Sequence, residues 1–367
     1  MAVREDGFSS NAIRLSGREW AVVVLVLAAA LSLLPARWPA VGRQFAFPDY
    51  RLPMELSSDY WMFRQWADFS QNHYRAVVLG DSVVWGQYAE SGDTLVHHLN
   101  AVAGEGTFAN LGVDGLHPTA MAGMLGSYAR GIRRRPVLVH LNPLWMGSAE
   151  ADLQGTGEAR LNHPRLLPQL VRRPPAYRPT ASDIIAAVLP RGLPFVSWRE
   201  HLQITYYKGI ALSEWMLQDP YRLLPAGRGP DEFAWREPGS EPLPWRERGI
   251  EPQDLAWVEA ERCYQWRSFR RAVELLRSRG NRVFVLLGPF NTHALTEESR
   301  ARHEKLAAAM RRWLENEGVS YYAPPALPTE LYADASHPLG AGYRQLAQKL
   351  YAAPAFRDWM KTWEEPE

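Results

Sequence analysis

Two short stretches at opposite ends of the 367-residue chain hold the residue types that acyl-transfer chemistry needs. The first is Gly80-Asp81-Ser82, which follows the apolar run Ala76 to Leu79. The second is Asp334-Ala335-Ser336-His337-Pro338. An alcohol is a weak nucleophile at neutral pH, so it needs a base within hydrogen-bond reach. The base in turn needs a third group that fixes its tautomer and stabilises its cation. An Asp and a His three residues apart on a turn can bring a carboxylate to one imidazole nitrogen and leave the other for Ser82. The plainer reading of each piece is an ordinary strand-to-helix turn capped by Asp81 or Ser82, and a surface or capping histidine at 337. The other nine histidines have no comparable context and read as structural or solvent-exposed.

The elements that must position these residues read as an α/β domain. Apolar runs at Ala76 to Leu79, Thr107 to Leu111, Val137 to Leu141 and Val283 to Leu287 are short, rich in Val and Leu, and bounded by Gly, Asn or Pro. Such runs suit parallel strands buried on both faces. Helical stretches at Thr94 to Ala103, Pro118 to Ile132 and Glu297 to Glu317, and one after Pro338, supply the crossovers. A further helix is expected from about Asp254 to Gly280, with Leu255, Val258, Trp266, Phe269, Val273 and Leu276 as its packing stripe. A serine at the carboxyl end of the first strand would face the crevice where open α/β sheets bind ligands.

The N-terminal region carries a different signal. The charge-free run from Trp20 to Leu34, extended through Pro35, Trp38 and Pro39, approaches the ~20 residues a bilayer core demands. Arg4, Arg14 and Arg18 precede it and favour a cytoplasmic N-terminus, although Arg37 and Arg43 follow. A retained anchor is preferred to a cleaved signal peptide, because Ala36 and Ala40 make a poor cleavage site. The expected organisation is a cytoplasmic N-terminus (1–19), a transmembrane anchor (20–39), a connector (40–73), a main domain (74–352) and a C-terminal tail (353–367). Residues of about 150–250, rich in Pro, Arg and Trp, read as an insertion. Its Trp198, Trp215, Trp235 and Trp245 could offer stacking faces or a partner surface, yet burial for area is the foremost expectation.

Gly80-Asp81-Ser82 after an early strand, together with Asp-x-x-His-Pro before the last helix, resembles the first and last sequence blocks of the SGNH (GDSL) hydrolase superfamily. The resemblance covers roughly residues 74–150 and 280–352. It implies a flavodoxin-like three-layer α/β/α fold with a parallel sheet, Ser82 as nucleophile, and His337 and Asp334 completing a triad. Asn110-Leu111-Gly112-Val113-Asp114-Gly115 is similar to the second block, which implies an oxyanion-hole N–H from Gly115, or alternatively Gly112, beside that of Ser82. The third block departs from the pattern: Leu141-Asn142-Pro143-Leu144-Trp145-Met146 stands where Gly-x-Asn-Asp is usual. Asn142 is the nearest candidate for a third donor, though it could simply start an Asn-Pro turn.

That departure, the anchor and Gly288-Pro289-Phe290-Asn291 resemble the membrane-anchored DltD-like SGNH proteins of teichoic-acid D-alanylation. They are also similar in architecture to the SGNH proteins of polysaccharide O-acetylation, which work beside a membrane-bound O-acyltransferase (MBOAT) partner. The implied protein is a single-pass protein of the cytoplasmic membrane with an extracytoplasmic, periplasmic catalytic domain. Its implied activity is O-acylation, chiefly O-acetylation, of a cell-envelope polysaccharide through an acyl-Ser82 intermediate. An esterase or deacetylase of envelope glycan or lipid, and a non-catalytic scaffold for a membrane acyltransferase, are the alternatives.

Composition narrows the field further. Acidic and basic residues nearly cancel, 40 against 41, which removes the electrostatic footprint of a nucleic-acid binder. The single Cys263, set in a helical pattern, excludes an intrachain disulfide and a Cys-rich metal site. No His-Glu-x-x-His, clustered ligand set or phosphate loop occurs in the sequence, so neither a metal nor a cofactor is expected.

Overall fold

A computed structural model describes residues 15–37, 45, 49–155, 161–207, 209–210, 212–218 and 242–363. Trp38 and Pro39 of the expected anchor, Arg4, Arg14 and Arg43 of its charge argument, and Trp235 with residues 219–241 of the expected insertion lie outside the described residues. The chain divides between Pro39 and Ala40 into two units.

The first unit is helix α1 (Gly17–Arg37), whose 21 residues span about 31 Å, close to the thickness of a bilayer's hydrocarbon core. Its central stretch from Trp20 to Leu34 carries no charge, and Val24, Leu25 and Leu33 are all exposed. The helix is thus long and apolar enough to cross a membrane, a property that signal sequences share. It begins earlier than the expected Trp20, because Ser16 N and Oγ both donate to Glu19 Oε2, each at 2.7 Å, and tie the first turn.

The second unit is built on one all-parallel sheet of five strands: β1 (Ala76–Gly80), β2 (Phe108–Gly112), β3 (Pro136–Leu141), β4 (Arg282–Leu287) and β5 (Ser320–Tyr322). They lie in the order β2-β1-β3-β4-β5. The expected strands are present to within a residue, and β5 is an addition. Every residue of β1, β2 and β3 is buried, which requires helices on both faces of the sheet. In chain order the helices of the sheet region are α2 (Tyr60–His73), α3 (Ser82–Trp85), α4 (Leu95–Ala103) and α5 (Pro118–Ser127). After the insertion come α9 (Tyr264–Ser278), α10 (Glu297–Asn316), α11 (Gly340–Ala352) and α12 (Pro354–Lys361). One face of the sheet packs Val78, Leu138, Phe284 and Leu286 against Leu95 and Leu99 of α4, Tyr343, Leu346 and Leu350 of α11 and Phe356 and Trp359 of α12. Helices α5 and α9 pack against each other, and α9 also packs against β4. The arrangement is an α/β architecture consistent with three layers.

Other boundaries also differ from those expected, and the helix expected over Pro118 to Ile132 ends at Ser127. The connector holds α2, started by Asp59, whose Oδ1 accepts from Met62 N at 2.9 Å, and buried through Trp61, Phe63 and Trp66. The C-terminal tail holds α12, which completes the core just described. The helix expected from Asp254 begins at Tyr264 instead, because the preceding backbone bonds away from itself. Gln253 N donates to Ala294 O, Leu255 N to Ser299 Oγ and Val258 N to Met146 O. Cys263 is buried and caps α9 rather than lying within it, its Sγ accepting from Trp266 N.

In the insertion, α6 (Ala181–Gly192) opens with a reciprocal Thr180–Asp183 cap, and α7 (Pro194–Tyr207) and the short α8 (Leu212–Gln218) follow. The insertion is moored to the sheet layer at several places, among them His163 Nε2 against Asp114 O and the two that follow. His201 Nδ1 lies 2.7 Å from Asp59 Oδ2, both side chains being almost fully buried. At Gly123 of α5 the backbone of Leu166 comes so close that a Cβ would sit 1.9 Å from its carbonyl oxygen. Trp198 and Trp245 are buried, so packing rather than sugar stacking is their role. Trp215 lies on α8, but its side chain is outside the described residues.

Candidate active site

The parallel register sets Gly80 beside Gly112, so the loops leaving β1 and β2 start from the same edge of the sheet. At the first of these exits Asp81 caps α3, its Oδ1 accepting from Val83 N at 3.1 Å, and Ser82 becomes the first helical residue. Its own N–H therefore has no partner within the helix. Close approach makes this geometry possible: a Cβ on Gly112 would lie 2.2 Å from Trp85 N, so β2 presses directly on the α3 backbone.

Ser82 Oγ lies 2.8 Å from His337 Nε2, and His337 Nδ1 lies 2.8 Å from both oxygens of Asp334. With its proton on Nδ1, the imidazole donates to the carboxylate and accepts the Ser82 hydroxyl proton at Nε2. The Asp334 turn is itself braced. Oδ1 accepts from Ser336 N and His337 N, each at 2.9 Å. Asn291, fully buried, donates its side-chain amide to Asp334 O at 3.0 Å and its backbone N–H to Ala335 O at 2.9 Å. Tyr88 packs edge-on to the His337 ring, with centroids 5.6 Å apart, and Arg248 stacks on Tyr88.

Charge supports the same assignment. Burial alone would raise the Asp334 carboxyl, but His337 and the hydrogen bonds of its own turn hold it down at about 2. Burial alone would lower His337, yet Asp334, Asp81 and Asp114 outweigh that and raise its pKa above the ordinary histidine value. Because only the neutral ring can take a proton from Ser82, acyl release should fall as pH drops, with a midpoint above ~6.5. A pH–rate profile checks this, and a midpoint at or below that value would count against His337 as the base.

Asp81 forms a second buried centre, next to Ser82. Its Oδ2 accepts from Asn142 Nδ2 and Trp145 Nε1, each at 2.8 Å. His140 Nδ1 stands 3.2 Å from Oδ1, in ion-pair range but off the line of a hydrogen bond, so neither ring nitrogen of His140 has a hydrogen-bond partner among the described residues. Burial would raise the Asp81 carboxyl, but His140, His337 and Asn142 hold it at about 2. The unfolded-chain value is ~3.9, so the stabilisation from this ion is complete above about pH 4 and is lost as the pH falls through about 2.

The expected oxyanion donors divide accordingly. The N–H groups of Ser82 and Gly115 have no acceptor among the described residues, and Gly115, with φ of 66°, sits just past the end of β2 on the nucleophile's edge of the sheet. Gly112 N donates to Asn110 Oδ1 at 2.9 Å, so that N–H is committed and the glycine serves close packing instead. Asn142 is brought beside Asp81, but its amide is engaged there and its Oδ1 accepts from Leu144 N at 3.0 Å as the cap of a 3-10 turn. The alternative reading of Asn142 as a turn-former is thus the one its contacts express.

Sequence reasoning missed His140, Trp145 and the bracing role of Asn291. His140 meets Asp81 only through the β1–β3 pairing, which no local pattern announces. Asn291 closes the Gly288-Pro289-Phe290-Asn291 stretch, but its partner is more than forty residues away. Among the described residues no group of three or more His, Cys, Asp or Glu is placed to hold a metal ion. Comparison with protein-family models finds no match to this chain, and comparison with curated proteins finds none either.

Proposed function

We propose that this chain is a membrane-anchored serine acyltransferase of the SGNH type, acting in O-acylation of a cell-envelope polysaccharide. The single observation that carries the reading is the continuous hydrogen-bonded line from Ser82 Oγ through His337 to Asp334. In the first half-reaction Ser82 Oγ attacks the donor's acyl carbonyl while its proton passes to His337 Nε2. Collapse of the tetrahedral intermediate breaks the bond to the leaving group, which takes that proton, and acyl-Ser82 remains. In the second half an acceptor hydroxyl loses its proton to His337 and attacks the acyl carbon. Ser82 leaves as the alcohol, reprotonated by His337. The N–H groups of Ser82 and Gly115 would bind the oxyanion in both halves.

The apolar α1 supports a membrane anchor; placement at the cytoplasmic membrane with the catalytic domain outside, beside an MBOAT-type partner that supplies the acyl group, belongs to the same proposal. Water in place of the sugar would make the same site an esterase. One experiment separates the two: incubate the detergent-solubilised chain with p-nitrophenyl acetate and an envelope-type oligosaccharide, and follow nitrophenol and acetylated sugar by mass. Acetylated sugar that depends on Ser82 is the expected product. Ser82-dependent release of acetate alone would replace the transferase by an esterase, and release that ignores Ser82 would end the covalent mechanism and favour a scaffold.

A further inference from the structure

Helix α6 is amphipathic the wrong way round for a soluble surface. Ile185, Val188 and Leu189, at the i, i+3, i+4 spacing of one helical face, point to solvent, while Ala187 and Pro190 are buried. Beside this face, the bend after Gln169 puts Leu170 and Val171 out at 71% and 74% exposure. Of the ten large apolar residues exposed outside α1 among the described residues, six lie between Leu170 and Leu193. Scattered exposed apolar side chains need no explanation, but a contiguous set does.

The setting of this patch says what would cover it. Leu170, Val171 and Val188 border a groove of about 1220 Å³ whose walls carry five arginines and one carboxylate, Glu274. Arg172, Arg173, Arg267 and Arg271 are exposed there, and the Tyr264 ring stands among them. Leu and Val are under-represented among the hot spots of protein–protein interfaces, whereas Tyr and Arg are enriched there, so it is the exposed aliphatic tip that separates a lipid cover from a protein one. An aliphatic tip beside five guanidiniums and a single carboxylate matches the interfacial zone of a bilayer, with aliphatic side chains at the acyl boundary and guanidiniums among anionic headgroups.

We propose that the Leu170–Val171 bend and the outward face of α6 form a second membrane contact, which docks the catalytic unit on an anionic phospholipid surface. The proposal rests on the reading of α1 as a membrane anchor. The insertion would then fix how the catalytic unit faces the membrane, and so where a lipid-borne donor or a membrane partner must present its acyl group.

The full chain can test this, because its single native cysteine, Cys263, is fully buried and leaves an introduced thiol as the only reactive one. Val171→Cys carrying an environment-sensitive fluorophore is reconstituted into phosphatidylcholine vesicles with or without phosphatidylglycerol, some containing nitroxide-labelled lipid. Val102→Cys, on α4 in the opposite helical layer, serves as the control. The expected result is nitroxide quenching at position 171 that strengthens with phosphatidylglycerol, weakens in high salt, and drops to the Val102→Cys level in R172E/R173E, with ester hydrolysis retained. Chains that float with vesicles but show no lipid quenching at 171 overturn the docking surface and leave the anchor standing. A label shielded from aqueous quencher equally in detergent and in vesicles also overturns it, in favour of a protein cover. Failure to float at all overturns anchor and docking surface together.

Discussion

Replacing Ser82 with alanine is expected to reduce acyl release by on the order of 10⁴-fold or more, to the level that binding and the oxyanion donors sustain alone. His337→Ala should do the same, because the hydroxyl without its base reverts to an ordinary alcohol. The informative result is the double variant. Two residues that form one nucleophile, joined by a 2.8 Å hydrogen bond, should lose little more together than either loses singly. Steady-state rates on p-nitrophenyl acetate for the four proteins measure this, with circular dichroism as a check on folding. Multiplying losses would mean that Ser82 and His337 act in separate steps, and the proposed relay would fall.

The second large effect is expected at Gly112→Ala, through packing rather than through chemistry. A methyl group there meets Trp85 N at 2.2 Å and Val84 C at 2.7 Å, all of it backbone, so no flexible side chain can swing away. Either β2 or α3 must shift. Overpacking of this kind costs roughly 1–3 kcal/mol, and the displaced helix is the one that begins with Ser82. A misplacement of about 1 Å is worth on the order of 10²-fold in turnover. Gly126→Ala on α5, where a Cβ meets nothing within 4 Å, is the matched control and should gain about 0.5–1 kcal/mol. Thermal unfolding and turnover on the pair decide the matter: if Gly112→Ala behaves like Gly126→Ala, the close approach of β2 to α3 is not what holds Ser82 in place.

The elements that could be read from sequence are those whose signals are local. Thr94 caps α4 through its side chain, accepting from His97 N, and the four longer strands are largely apolar runs, broken inside only by Asn110 and His140, so both gave themselves away. Strand β5 has three residues, none fully buried, and offers no such run. Helix α2 did carry a signal, Asp59 followed by aromatic residues at helical spacing, but neighbouring prolines made the stretch resemble a connector. The triad was legible because the Asp-x-x-His spacing is local and Ser82 follows a strand. The support under it was not. Asp81 collects partners from positions 140, 142 and 145 across the sheet, and only the register of β1 against β3 brings them there.

Ser82 and His337 stand 255 positions apart, the one leaving the first strand and the other just ahead of α11. During synthesis the alcohol therefore emerges long before its base, and Asp334 arrives only with the histidine. A nascent or prematurely ended chain carries a serine of ordinary reactivity. Parallel strands joined over such distances also assemble slowly. Under the proposed reading, chemical competence arises only once residues 334–337 have been made, and a chain cut short of Asp334 holds the Ser82 hydroxyl without a base.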